Sequence, residues 1–145
     1  MNINKALFQL FGANAGLTAL VGRRVYGLSA PDKAVYPCVV RALFGREILE
    51  IYDTPGRTAL VFSHYRFIVM SQGSATYDDA VEAADALRVS LEGYKGDFTD
   101  SDPFPTVHID GAFLTDTYEA YDDTTQMVQV VLEFKIAHTQ EIRTS

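Results

Sequence analysis

Near its C-terminus the chain reads MVQVVLEFKIAH, which puts Val128, Val130, Leu132, Phe134 and Ile136 on one face and Gln129, Glu133 and Lys135 on the other. A period of two over that length describes a half-buried antiparallel strand, so the chain has to supply both a sheet and a cover for one of its faces. The run TALVFSHYRFIVMSQ repeats the pattern with Tyr65, Phe67 and Val69 on one side. There, however, Ile68 and Met70 make the second side apolar too, and that face calls for a partner. VYPCVVRALFG and TVHIDGAFLTDTYEAY add two more strands, and the VYG that follows Arg24 can open another. The count predicted from the residues is about four to five. Asp53-Thr54-Pro55-Gly56 has proline and glycine where a tight turn wants them, and Asp122 to Thr125 is the second polar turn; each joins two long strands into a hairpin.

Two helical patterns precede the strands and a third interrupts them. Ile3, Ala6, Leu7, Leu10 and Phe11 form one apolar stripe. Asn14 caps a shorter helix with Leu17, Leu20 and Val21 on one side, and Gly22 ends it. Arg23 and Arg24 therefore sit beyond a helix C-terminus, where a cation complements the dipole by about 0.3 to 1 kcal/mol. Thr76 and Asp79 have the spacing of a capping box before the stripe Ala80, Ala84, Leu87 and Leu91, and Gly93 follows. Asp78, Asp79 and Glu82 in that first turn suit the positive end of the dipole and read as structural. No repeat, linker or low-complexity segment interrupts the sequence, so the expectation is one α+β domain over residues 1–145, with a radius of gyration of roughly 15 Å.

Catalytic constellations are not visible. No serine stands in a nucleophile elbow and no glycine-rich phosphate loop opens a helix. His64, His108 and His138 all fall on strand patterns, but parity turns His64 and His108 away from the core while His138 continues the inward face at a frayed strand end, which argues against a shared metal. Asp97, Asp100 and Asp102 lie in the polar, proline-bounded stretch GDFTDSDPFP without the spacing of a calcium loop, and read as an acidic loop. Cys38 stands alone in an apolar strand and reads as packed. No cofactor and no enzymatic activity are expected. No run approaches the roughly 20 apolar residues of a membrane span, and the N-terminal MNINKALFQLF is too interrupted for a signal sequence, so synthesis and residence in a cytoplasm are expected.

Charge is the remaining signal. The net value is -7, with twelve basic and nineteen acidic residues, which disfavours a grip on nucleic acid. It is unevenly spread: residues 1–73 carry eight basic and four acidic side chains (net +4), residues 74–123 carry two and thirteen (net -11), and residues 124–145 carry two of each. A solvated acidic helix with acidic turns accounts for this, and so does a subunit whose basic side meets the acidic side of the next copy, a head-to-tail contact that closes into a ring where the rotation permits.

The order of features, NKALFQLF, then AGLTALVGRRVYGLSAP, the Pro-led YPCVVRALF, YRFIVMSQGSATYDDAVEAADALRVSLEGYKG and the closing FLTDTYEAYDDTTQMVQVVLEFKI, resembles the tail completion, or tail terminator, family of long-tailed bacteriophages and related gene-transfer particles. The likeness runs over roughly residues 3 to 137. It implies a small α+β subunit, with helices packed on one face of an antiparallel sheet, that assembles as a homo-hexameric ring at the head-tail junction of the virion. There it caps the tail tube protein, ends tube growth and meets head connector proteins. Six spheres of about 38 Å leave a central hole of similar width, through which DNA passes without specific binding. The interface candidates are Arg23, Arg24, Tyr26, Tyr52, Ile68, Met70, Asp97, Asp100 and Asp102, with one arginine expected to pair with a carboxylate of a neighbour's 97–102 loop or of a partner ring and the other to stay a helix cap. A neck adaptor or stopper, and a small-molecule-binding α+β domain, are the alternatives.

Overall fold

The computed structural model describes residues 2–52, 58–73, 76–99 and 107–141. Helices α1 (Ile3–Ala13) and α2 (Ala15–Val21) lead into strands β1 (Val25–Gly27), β2 (Cys38–Tyr52) and β3 (Thr58–Gln72). Helix α3 (Thr76–Leu91) and strands β4 (Gly96–Phe98), β5 (Val107–Asp122) and β6 (Met127–Glu141) complete the chain. The strands form one six-stranded sheet in the order β1-β2-β3-β6-β5-β4. The expected α+β class holds, but the sheet is larger than four to five strands and not wholly antiparallel. Strand β1 runs parallel to β2, because residues 28–37 carry the chain back before β2 begins. Strand β4 occupies the start of the polar stretch read as a loop; Gly96, Asp97 and Phe98 pair with Ile109, His108 and Val107, a tertiary contact that local composition does not encode.

The four long strands meet through β3 and β6, which pair from Thr58↔Glu141 to Gln72↔Met127 without a register shift. Along β3 burial alternates residue by residue: Val61, Ser63, Tyr65, Phe67, Val69 and Ser71 are buried, and the residues between them are half-buried. The buried side faces the helices. Phe67 sits at the centre, edge-on to Phe11 of α1 at 5.4 Å between ring centroids, stacked with Tyr65 at 5.6 Å and edge-on to Phe134 of β6 at 5.9 Å. Such aromatic pairs add about 0.5 to 1.5 kcal/mol each beyond the area they bury. The Tyr65 hydroxyl donates to Asn4 Oδ1 of α1, so the one polar atom of this ring cluster is satisfied. Burial pushes that phenol up to about 12. The whole apolar stripe of α1 (Ile3, Ala6, Leu7, Leu10 and Phe11) is buried, as its spacing predicts.

Helix ends follow the local chemistry. Asn14 Oδ1 accepts from the Leu17 amide at 2.9 Å, and Gly22 takes a positive φ of 59° past α2. At the β5–β6 turn the Thr124 amide donates to Asp122 Oδ1. The Asp53 to Gly56 turn and the Thr76 side chain lie outside the described residues. Cys38 is buried and unpaired, its thiol pushed up by burial.

His138 departs from expectation. Strand β6 continues to Glu141, so the residue is not at a frayed end but fully enclosed, 1% exposed. Its Nδ1 donates to the Thr139 carbonyl at 2.9 Å, which leaves Nε2 to accept from the Ser63 hydroxyl at 2.6 Å. The pair has the connectivity of a base and a nucleophile, yet Ser63 is 0% exposed and no substrate carbonyl can reach it. Burial first, and Arg46 secondarily, push the imidazole down to about 4. An unfolded histidine protonates near 6.5, so between pH 6.5 and 4 the unfolded chain binds the extra proton and stability falls with pH, by roughly 3 kcal/mol in all from this group. Above pH 6.5 its contribution is fully present. His138→Gln should flatten that limb of the curve: urea midpoints measured from pH 7 to 4 are expected to fall less steeply in the variant than in the parent.

Candidate functional site

The sheet order converts a linear charge asymmetry into a spatial one. Strands β1, β2 and β3 all belong to the net +4 segment, β4 and β5 to the net -11 segment, and the balanced β6 separates them. Within the strands the acidic side is the marked one: β4 and β5 carry Asp97, Asp110, Asp116, Glu119 and Asp122 and no lysine or arginine, whereas β2 balances Arg41 and Arg46 against Glu47 and Glu50. The arginines at that other side are Arg23 and Arg24, just before β1.

At the basic edge the two arginines divide their roles. Arg24 turns back on its own helix: Nη2 donates to the Leu20 carbonyl at 3.1 Å and Nε to the Pro37 carbonyl at 3.1 Å, so it caps α2 and ties down the chain entering β2. Arg23 is exposed; its carbonyl accepts from the Val25 amide, and its side chain has no hydrogen-bond or ion-pair partner among the described residues. It stands at a cleft of about 310 Å³ lined by Phe8, Phe11, Leu17, Val21 and Val25. Tyr26, on β1, is half-buried opposite Val40. At the acidic edge Asp97 lies on β4 and pairs with His108 Nδ1, whose Nε2 is 3.6 Å from Asp110 Oδ1. Asp97 is therefore held on a strand and not in the expected loop; Asp100 and Asp102 lie outside the described residues. The structure puts Arg23 and Asp97 at opposite ends of one sheet, apart within a copy.

Ile68 and Met70 occupy the face away from the helices, each half-buried. Cross-strand pairing aligns Tyr26, Val40, Ile68, Val131 and Tyr118 in a row across that face. Next to it Arg66 bonds Glu133 Oε1 through Nη2 at 2.9 Å and Nε at 3.1 Å and lies over the Phe44 ring at 5.1 Å, while Lys135 Nζ lies 4.1 Å from the Phe62 ring centre. Charged side chains laid over apolar rings cover part of the face that the sequence leaves apolar. His64 belongs here too, its ring 5.9 Å from Phe44. Tyr52 ends β2, and its side chain is outside the described residues.

Sequence reasoning missed the exposed apolar side chains at the sheet edges, Leu43, Phe44 and Ile48 on β2 and Phe113, Tyr118 and Tyr121 on β5. The signal was present: ALFGREI and GAFLTDTYEAY lack clean alternation, a mark of strands that bury neither face completely. Among the described residues no group of three His, Cys, Asp or Glu side chains converges, and no helix is long and apolar enough to cross a membrane.

No protein-family model and no curated protein matches the sequence. A chain in the virion of a native gene transfer agent (GTA) particle shares the fold, with a TM-score of 0.65, 21% identity and 95% of each chain covered.

The division between the arginines is testable. Arg24→Ala removes two bonds to carbonyls and should cost about 1 to 2 kcal/mol of folding stability. Arg23→Ala should leave the melting temperature unchanged. Thermal melts measured on both variants check this.

Proposed function

We propose that this protein is a structural subunit of a phage-like particle, a tail terminator that forms a hexameric ring on the finished tail tube. The observation that carries the reading is the pair of unlike edges on one sheet: β4 and β5 carry five acidic residues and no lysine or arginine, whereas β2 is balanced and Arg23 and Arg24 stand at the corner before β1. A self-complementary two-fold contact would bring like charges together, whereas a head-to-tail contact brings opposite ones together and closes into a ring. The shared fold with a chain of a gene transfer agent virion supports the same reading. Arg23, projecting from the α2–β1 corner, is the side chain best placed to take a carboxylate of a neighbour or of a partner ring, because its planar fork holds a carboxylate with two bonds. The half-buried row around Ile68 and Tyr26 is a second surface for a neighbour or for the tube.

The protein's role is mechanical and not enzymatic: the enclosed Ser63–His138 pair has no access, the cleft near Arg23 has mainly apolar walls, and in the cleft near Tyr77 the Tyr77 hydroxyl is taken up in its bond to Glu119. An acidic ring repels phosphate, so duplex DNA would slide through it and not adhere. A neck adaptor or stopper would be built on the same contacts; immunogold labelling of particles tells them apart by position, at the tube end or one ring nearer the head.

Negative-stain images of the purified protein should show six-fold rings, and native mass should shift toward monomer as salt rises and the Debye length shrinks from about 8 Å at physiological ionic strength to about 3 Å at 1 M. A single monomer mass at every protein and salt concentration, with no rings on tails, overturns the ring. Fluorescence anisotropy with a labelled duplex should show no binding at physiological salt; micromolar, salt-sensitive binding overturns the passive conduit.

A further inference from the structure

Both long outer strands are only partly covered. Among the described residues, strand β1 pairs with Val39 to Arg41 and nothing pairs with residues 42–52 on that side of β2. On the other side β4 pairs with Val107 to Ile109, the Gly93 amide donates to the Ala112 carbonyl, and no other described residue pairs with residues 113–122 on that side of β5. Each open edge is roughly 35 Å long at about 3.3 Å per residue. Edges of that length are normally blunted by charged side chains, lysine above all, by proline or by β-bulges. Both stretches hold irregularities and some charge, but neither contains lysine or proline. They carry exposed apolar side chains instead: Leu43 at 39%, Phe44 at 51% and Ile48 at 61% on β2, and Phe113 at 54%, Tyr118 at 42% and Tyr121 at 60% on β5.

From these edges we infer that the subunits join by strand addition, residues 42–52 of one copy pairing with residues 113–122 of the next, so that the sheet continues from copy to copy. The inference rests on the ring reading and names its seam. Three observations select a second copy as the occupant. The two edges match in length. They differ in charge: the β5 side carries Asp116, Glu119, Asp122 and Asp123 and no basic residue, whereas residues 41–52 of β2 balance Arg41 and Arg46 against Glu47 and Glu50. And β2, β3, β6 and β5 alternate in direction, so a rotation about an axis along the strands brings β2 antiparallel to the neighbouring β5, the stronger pairing.

Face and charge fix the register. Arg46 pairs with Ser63 and Glu119 with Val130 within a copy, which puts both on the helix-bearing face. Setting Arg46 opposite Glu119 places Tyr121 beside Leu43 and Thr117 beside Ile48 on that same face. It also brings Asp123 to Arg41, and leaves Tyr118 beside Glu47 on the other face. The irregularities in β2 between Leu43 and Gly45 and in β5 between Leu114 and Asp116 bend both strands, which suits a curved seam.

The test is disulfide trapping in full-length protein carrying Cys38→Ala. The double variant Ile48→Cys with Thr117→Cys should, on mild oxidation, give a non-reducing gel ladder that ends at the copy number of the closed ring. Each single variant should give no ladder, and the two single variants mixed should give a dimer alone. Dimers from one single variant by itself mean like edges pair, and overturn the seam. Rings in the microscope without cross-linking in the double variant overturn the seam and leave the ring reading standing; no rings and no cross-links overturn both. A second pair of variants guards against misfolding: Glu119→Arg should weaken ring formation about tenfold or more per seam, and adding Arg46→Glu should restore it. Failure of the reversal to restore rings in a normally melting protein overturns the register.

Discussion

The pairing of β3 with β6 is the contact on which the rest of the molecule depends. It joins residues far apart in sequence over the full length of both strands, without a bulge, and it supplies the buried faces onto which α1 and α3 pack. Phe67 concentrates this dependence, because its ring touches α1, its own strand and β6 at once. Removing a ring so placed typically costs about 3 to 5 kcal/mol, a large share of the 5 to 15 kcal/mol that a domain holds. The outer strands are bulged and partly open by contrast, so order is set at the centre of the sheet and adaptability is left at its margins.

Because β6 enters between β3 and β5, the strands of the two charged segments lie on opposite sides of it, while α3 of the acidic segment packs against α2 and β3. Strands lie about 4.8 Å apart, so β1 and β4 are separated by roughly 24 Å, several Debye lengths at physiological salt. Among the described residues the carboxylates of β4 and β5 form no ion pair with Arg23 or Arg24 inside one copy.

Polar side chains in the described interior are few, and three of them have partners. Tyr65 reaches Asn4, Ser63 reaches His138, and His138 reaches the Thr139 carbonyl. The enclosed histidine is held neutral by the absence of water around it, which makes the core sensitive to acid although nothing at the surface reveals it. On the opposite face Arg66 and Glu133 sit at the surface beside Phe44, and there solvent screening leaves the ion pair mainly a means of orienting the side chains.

Much of the fold was legible in the sequence because its causes are local. The α1 stripe, the Asn14 cap, the glycine after α2 and the alternating faces of β3 and β6 depend on residues a few positions apart, and each appears where the pattern predicts. The parity that turned His64 outward is also local. The rest depended on contacts between distant residues. Asp97 became part of a strand because His108 and its neighbours supply the ladder, and β1 ran parallel to β2 because of how residues 28–37 return. His138 was enclosed because β6 extends past it. The split between Arg23 and Arg24 is likewise tertiary: two adjacent, chemically identical side chains differ only because the Leu20 and Pro37 carbonyls converge within reach of one of them. The sequence by itself determined which faces are apolar and that charge is sorted along the chain. Only the tertiary structure decided that this sorting becomes two opposite edges, since that follows from the order in which the strands pair and not from any residue within them.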